Sequence, residues 1–382
     1  MLVSLIGTWI QSVAQSWLMF DLTKSAFMLG LAGFMGSIPI FLLSLFGGVA
    51  ADRINKRSII LLTQNAFMVL AFVLAVLTQL KLITPVQLMS IALLNGVVMA
   101  FDAPARQAIV MELVGREHIV NAVALNSAAF NSSRLIGPAL AGMLIAVIGM
   151  SGCFYINGIS FLAVIAALTF IKITPGFKKE TKKTFSKDLM EGIHFIRNNR
   201  TILLLITTVG ITSLFGISYV ILMPIFAQDI LKVGVKGLGA LMSAAGLGAL
   251  VAALSLARFS KLKNKGKFLA FSLAVFSVSL VLFALSEVYL FSLFALVLIG
   301  WSSVMAMSLV NISLQELVPD NFRGRVMSAF MFTFAGVMPF GNLLAGALSQ
   351  IWGVTFTVAS SGIICAVSFL AINMLYPQIR EI

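Results

Sequence analysis

The chain has 382 residues, of which 60% are hydrophobic and 10% charged, against about 45–50% and about 25% in an ordinary soluble domain. A water-soluble chain of this length needs polar cover for its cores, and this one lacks it, so lipid is its main solvent. Lys plus Arg is 26 and Asp plus Glu is 13, a net charge of +13; in a membrane protein that excess belongs to cytoplasmic loops and not to a nucleic-acid partner.

A helix needs about 20 apolar residues to cross a 30 Å hydrocarbon layer. Twelve runs qualify, with boundaries good to a few residues, at 2–20, 26–50, 58–80, 86–106, 119–148, 152–171, 201–228, 237–257, 268–286, 288–310, 325–348 and 353–376. Twelve spans leave both termini on one side. The loops after even-numbered spans, with Arg380, carry 21 of the 26 Lys and Arg; the opposite loops carry Lys24, Lys81, Lys232 and Lys236, and Arg134 lies within a span. The positive-inside rule therefore places both termini in the cytoplasm of a multi-pass cell-membrane protein. The longest polar stretch, 173–200, separates an N-terminal six-helix half at 1–172 from a C-terminal half at 201–382. Within it Phe185, Leu189, Ile193 and Ile196 recur at helical spacing and predict an amphipathic surface helix. Its lysine-rich start reads as a solvated tether.

The halves repeat. At an offset of 204, Glu112-Leu113-Val114 aligns with Glu316-Leu317-Val318, Gly137 with Gly341, Leu140-Ala141-Gly142 with Leu344-Ala345-Gly346, and Gly149 with Gly353. Parallel repeats of this kind belong to transporters that rock one half against the other. Met1 then falls opposite Leu205, inside span seven and behind Arg197 and Arg200, so the first helix is expected to be truncated, without its cytoplasmic lead-in. The expected fold is an all-α membrane protein with twelve transmembrane helices in two parallel six-helix repeats.

No Cys or His cluster has metal-ligand spacing, and Cys153 and Cys365 lie far apart in apolar runs, so no metal and no cofactor are expected. Gly266-Lys267 is followed by Phe268, which breaks the nucleotide-binding pattern, and His118 and His194 lie in separate segments. These features exclude an ATP-driven pump and give no basis for an enzyme. Arg134 is the one formal charge well inside a span, about 15 residues or 22 Å from a helix start near Ile119; such a charge is a functional candidate by default, for anionic cargo or for coupling, and snorkelling or bracing a helix contact are the competing uses. Ser127, Asn131, Arg134, Pro138 and Ala141 share one stripe of span five and are expected to face the protein interior. In span one Thr8, Gln11, Ser12 and Gln15 cluster on one face and suit a cavity for polar or amphipathic cargo; interhelical hydrogen bonding is the competing use. Thr207, Thr208 and Thr212 in span seven are weaker partners by pseudo-symmetry. No carboxylate lies at mid-membrane, which leaves Asp21, at the end of span one, as the candidate proton carrier, with a plain loop aspartate as the competing reading.

The run Gly48-Val49-Ala50-Ala51-Asp52-Arg53-Ile54-Asn55-Lys56-Arg57 resembles the signature of the major facilitator superfamily between spans two and three, with Asn55 where glycine is usual. Phe101-Asp102-Ala103-Pro104-Ala105-Arg106-Gln107, the run from Arg134 to Gly142, and Arg323-Gly324-Arg325-Val326-Met327-Ser328 resemble the branch containing enterobactin exporters and macrolide and multidrug efflux proteins. The resemblance implies a conformational latch of Gly48, Asp52, Arg53, Arg57, Asp102, Arg106 and Gly324. In it Asp52 meets the positive end of span eleven, worth about 0.3–1 kcal/mol, and Arg53 and Arg57 pair with Asp102 or Glu112. Gly137, Pro138 and Gly142 resemble the span-five motif of drug and proton antiporters, but Ala92 replaces the arginine those proteins carry four residues before a glycine of span four. The implied function is secondary active export of a small amphipathic molecule, siderophore-like or drug-like, by proton antiport in a monomer. Uptake or lipid movement on the same fold is the alternative.

Overall fold

The structure, a computed structural model, describes residues 2–114, 118–170, 185–258 and 264–376. The lysine-rich start of the linker, Arg116 and Arg380 lie outside these residues, as do the side chains of Glu112, Phe185 and Leu189. The described residues are helical with no strands. We number the helices α1 (Leu2–Thr23), α2 (Ala26–Arg53), α3 (Lys56–Gln79), α4 (Pro85–Val114), α5 (Ile119–Phe170) and α6 (Phe185–Asn198). The C-terminal half adds α7 (Arg200–Ile230), α8 (Gly234–Arg258), α9 (Lys265–Leu285), α10 (Tyr289–Leu317), α11 (Asp320–Trp352) and α12 (Val354–Leu375).

Among the described residues ten helices, α2–α5 and α7–α12, are long and apolar enough to cross a membrane. α5 has 52 residues and supplies two spans, because Gly149 inside it adopts φ 73°, ψ 177° and breaks the helix. Gly353, its counterpart in the repeat, adopts φ 86°, ψ 157° and separates α11 from α12. A residue with a β-carbon is disfavoured at such φ, so the aligned glycines mark the same hairpin corner in both halves. α1 has 22 residues, about 33 Å of rise, so its length suffices to span. Its counterpart α7 begins at Arg200, ahead of Leu205, the residue opposite Met1, and follows α6 almost directly.

α7 is regular only from Arg200 to Ile211. A π turn follows at Thr212–Gly216, a 3-10 turn at Ile217–Leu222 and a second π turn at Phe226–Ile230. Pro224 has no N–H to donate and crowds the preceding turn, which accounts for part of this rewinding.

The chain divides into two compact units. The first comprises Met1–Glu180 with Pro224–Ser243, and the second Thr181–Met223 with Ala244–Ile382. In the first unit α1 and α3 pack on α5, and α2 packs on α4. Beside the loop between α2 and α3, Ala51, Ile59, Ile60, Ala105, Ile109, Val164 and Leu168 form a buried cluster that fixes the ends of α2, α3, α4 and α5 together. In the second unit α9 packs on α10 and α12, and α11 packs on α7 and α12. α6 docks on the start of α11: the rings of Phe195 and Phe322 stack with centroids 4.3 Å apart, and Arg325 pairs with Glu191 at 2.8 Å.

Candidate transport site

The signature loop, the span-one stripe and the span-five residues lie in different surroundings. At the linker-side end of the first unit, Asp52 and Arg53 at the end of α2 are exposed. Gly48 has open space where a β-carbon would stand, whereas a β-carbon on neighbouring Gly47 would overlap the Ala100 carbonyl. Gly47 therefore sets the close crossing of α2 on α4, and no contact within the unit requires glycine at Gly48.

Asp102 is 2% exposed. Arg106 pairs with it at 2.6 Å, Thr63 Oγ1 donates to it at 2.6 Å and Gln64 Nε2 at 3.0 Å. The expected pairing with Arg53 or Arg57 is therefore corrected: within the unit the cation beside Asp102 is Arg106, one turn along the same helix. A neighbour at i+4 needs no second element to bring it into range. Arg57 instead donates Nη2 to the Thr169 carbonyl at 3.0 Å, and its Nε is buried without a partner. The sequence gives no sign of Thr63 and Gln64 as partners, because the polar run Thr63-Gln64-Asn65 inside a hydrophobic span has no spacing that points to a residue 38 or 39 positions away. In the second unit Gly324 likewise has no atom within 4 Å of a β-carbon position. It is flanked by Arg323, which pairs with Asp320 at 2.7 Å, and by Arg325.

The span-one stripe divides. Gln11 is 8% exposed and its Oε1 accepts from Asn157 Nδ2 at 2.7 Å, tying α1 to the second arm of α5. The cavity-lining expectation is thus corrected for Gln11: its amide works as interhelical glue. Thr8 and Ser12 are exposed and Gln15 is half-buried, while Ile10, Val13 and Ala14 are buried at 0–2%. Thr8 and Ser12 therefore point away from the unit's core, Gln15 lies at its margin and Gln11 points in. Asp21 is exposed and pairs with Lys24 at 2.8 Å. In the second unit Thr207 is exposed, whereas Thr208 and Thr212 are buried.

On α5, Asn131, Pro138 and Ala141 are buried, while Leu125, Ile136 and Met143 are exposed. Asn131 Nδ2 donates to the Ser127 carbonyl at 2.9 Å in its own helix. Arg134 is half-buried, and no ion pair or hydrogen bond engages it among the described residues.

The span-five motif is a packing device with two contacts. A β-carbon on Gly137 would overlap Trp9 Cβ of α1, and one on Gly341 would overlap the Leu214 carbonyl and stand 2.9 Å from the Ser213 carbonyl. Trp9 and Ser213 are themselves related by the offset of 204, so both glycines admit the first helix of their own half. Five residues on, a β-carbon on Gly142 would stand 3.0–3.2 Å from the Val235 and Lys236 carbonyls and Gly239 Cα, and one on Gly239 would overlap the Pro138 carbonyl. Ser243 Oγ donates to the Leu135 carbonyl at 2.7 Å. α5 and α8 thus meet backbone to backbone, a contact the sequence signalled only through Gly142. Among the described residues no group of His, Cys, Asp and Glu is placed to hold a metal ion.

Long apolar helices in two repeated sets of six, glycine-broken at the same corner, with polar groups reserved for a few interior positions, define a major facilitator transporter. It is a membrane carrier and not an enzyme. Within that class the chain matches, over residues 1–381, the profile described as a transmembrane secretion effector, and it belongs to that family. The staphyloferrin A transporter of Staphylococcus aureus is 27% identical to it, covering 94% of this chain and 91% of that one. Macrolide efflux protein A of Streptococcus pyogenes is 24% identical over 100% of this chain and 94% of its own. A crystallised bacterial homologue of the human lysosomal transporter Spinster shares the fold at a TM-score of 0.78 and 12% identity, covering 99% of this chain and 96% of that one.

Proposed function

We propose that the chain exports a small amphipathic molecule, siderophore-like or drug-like, by alternating access driven by proton entry. The observation that carries this reading is Arg134. A guanidinium halfway along a span is costly, and with no ion pair or hydrogen bond among the described residues it is best satisfied by water or by an anionic group of the cargo. Thr8, Ser12 and Gln15 add uncharged donors and acceptors that suit varied polar cargo. The family profile names secretion, and the two relatives are named for a siderophore and for macrolide efflux, which favours outward movement.

In this reading residues 1–172 and 201–382 rock as two halves joined by the linker at 173–200, with both termini cytoplasmic and the working unit a monomer. Gly48, Asp52, Arg53, Arg57, Asp102, Arg106 and Gly324 form or brace the latch that closes the cytoplasmic side. The α5–α8 contact at Gly142 and Gly239 is the one that parts when the opposite side opens. Uphill export without ATP needs exchange with an ion, and the electrical part of a proton-motive force supplies about 2.3 kcal/mol per charge for each 100 mV, a concentration ratio near fifty. Asp21 is the carboxylate assigned to proton transfer.

In a host stripped of other efflux systems, expression is expected to lower accumulation of a fluorescent cationic dye or a siderophore, and a protonophore to abolish the difference. Higher accumulation on expression would reject export. Efflux that persists after the protonophore would reject proton coupling.

A further inference from the structure

The second unit contains a cleft of about 250 Å³ between α9 and α12, floored by α7. Ala270, Ala274 and Val278 line one wall, and Ala366, Phe369 and Leu370 line the other. The alanines open the gap. Its lips are exposed apolar side chains, Val278 at 55% and Leu370 at 58%, which in a membrane is surface turned to lipid. The two hydroxyls in the cleft are already engaged: Thr208 Oγ1 donates to the Leu204 carbonyl and Ser277 Oγ to the Leu273 carbonyl, both at 2.9 Å. The floor therefore asks for no polar partner, and an acyl chain is the occupant whose chemistry matches.

One end of the cleft is cationic. Lys267 is exposed and stands one turn before Ala270 on the same stripe of α9. Across the mouth, Arg200 donates to Tyr376 Oη at 2.6 Å and lies over its ring at 4.4 Å, one turn beyond the cleft residue Asn373 of α12. An apolar slot ending in Lys and Arg matches a phospholipid whose headgroup is negative. We propose that the cleft between α9 and α12 binds an anionic phospholipid from the leaflet on the linker side. Its acyl chain lies along Ala270, Ala274 and Ala366, and its phosphate meets Lys267 and Arg200.

The test is native mass spectrometry of the full-length protein titrated with phosphatidylglycerol or with phosphatidylcholine of the same acyl chains. Phosphatidylglycerol is expected to be retained in preference. Lys267→Ala is expected to weaken its binding about fivefold and to leave phosphatidylcholine unaffected. Ala274→Trp, which fills the slot from α9, and Ala366→Leu, which narrows it from α12, are each expected to remove the tightest-bound lipid; the second guards against misfolding of the first. Equal retention of the two lipids, or an undiminished lipid complement in both slot variants, would overturn the proposal.

Discussion

Gly239→Ala tests whether the α5–α8 contact is a moving part. A β-carbon there would overlap the Pro138 carbonyl and stand 3.0 Å from Gly142 Cα and N, so backbone must move to admit it. Overpacking of this kind costs about 1–3 kcal/mol. Alanine also gains about 1 kcal/mol over glycine in a helix, but that gain applies whether or not α5 touches α8. The overlap applies only where they touch. The equilibrium between joined and parted helices should therefore shift by about fivefold to 150-fold toward parting, while overall stability changes by less. Spin labels at the Gly149 corner of α5 and at the start of α8 would report the distance distribution, and the native Cys153 and Cys365 are buried and do not compete for label. The expected result is a larger long-distance population with slowed dye efflux. Gly142→Ala, whose β-carbon meets its neighbours at 3.0–3.2 Å, should give a smaller shift. A well-folded Gly239→Ala with wild-type distances and wild-type efflux would refute the reasoning.

Gln11→Leu strands the Asn157 amide and should lower stability in detergent by about 1 kcal/mol, whereas Ser12→Leu on the exposed stripe should leave the melting temperature unchanged and impair transport; equal melting for both variants counts against the division of that helix. Arg106→Ala leaves Asp102 buried with only Thr63 and Gln64 for partners, a loss of about 3 kcal/mol. The double variant Arg106→Ala with Asp102→Ala should melt higher than the single one, and if it melts lower the pair is not the reason. Lys81 holds φ 58° at the end of α3, so Lys81→Gly should raise stability by about 0.5–1 kcal/mol, and an unchanged melting temperature would show that the turn is unstrained. Arg134→Ala should abolish efflux of an anionic siderophore; if Arg134→Lys restores it, charge alone suffices, and if not, the planar fork is required.

The spans were legible because lipid imposes one demand, about 20 apolar residues per crossing, and repeated glycines at Gly149 and Gly353 announced the same corner twice. Side-chain partners were not legible in the same way. Gln11 and Asn157 lie 146 residues apart, and either amide alone is compatible with a cavity or with a helix contact; only their meeting decides. Asp102 invited pairing with the arginines of the signature loop, although Arg106 stood four residues away, because the resemblance drew attention to the loop. The rewound middle of α7 gave no signal beyond Pro224 and Gly216, since π and 3-10 turns arise from local crowding that periodicity does not encode.

The repeat extends further in packing than in chemistry. Gly137 and Gly341 perform the same steric task against Trp9 and Ser213. Gly96 and Gly300, also 204 apart, each meet a backbone carbonyl of the helix they cross, Gly36 in one half and Ala245 in the other. Glu112 and Glu316 are paired by the same offset, but the candidate charges of the transport site are not duplicated: the positions opposite Asp102, Arg106 and Arg134 are Ala306, Val310 and Met338. Two halves can rock about a shared axis only if their helix crossings match, which keeps the glycines in pairs. Cargo recognition and coupling need one charge at one place. A second arginine within a span, at Met338, would add a further desolvation cost with no carboxylate at mid-membrane to offset it. The asymmetry fits the proposed reading, in which Arg134 and the Asp102–Arg106 pair carry the chemistry while the glycine-set helix crossings are common to both halves.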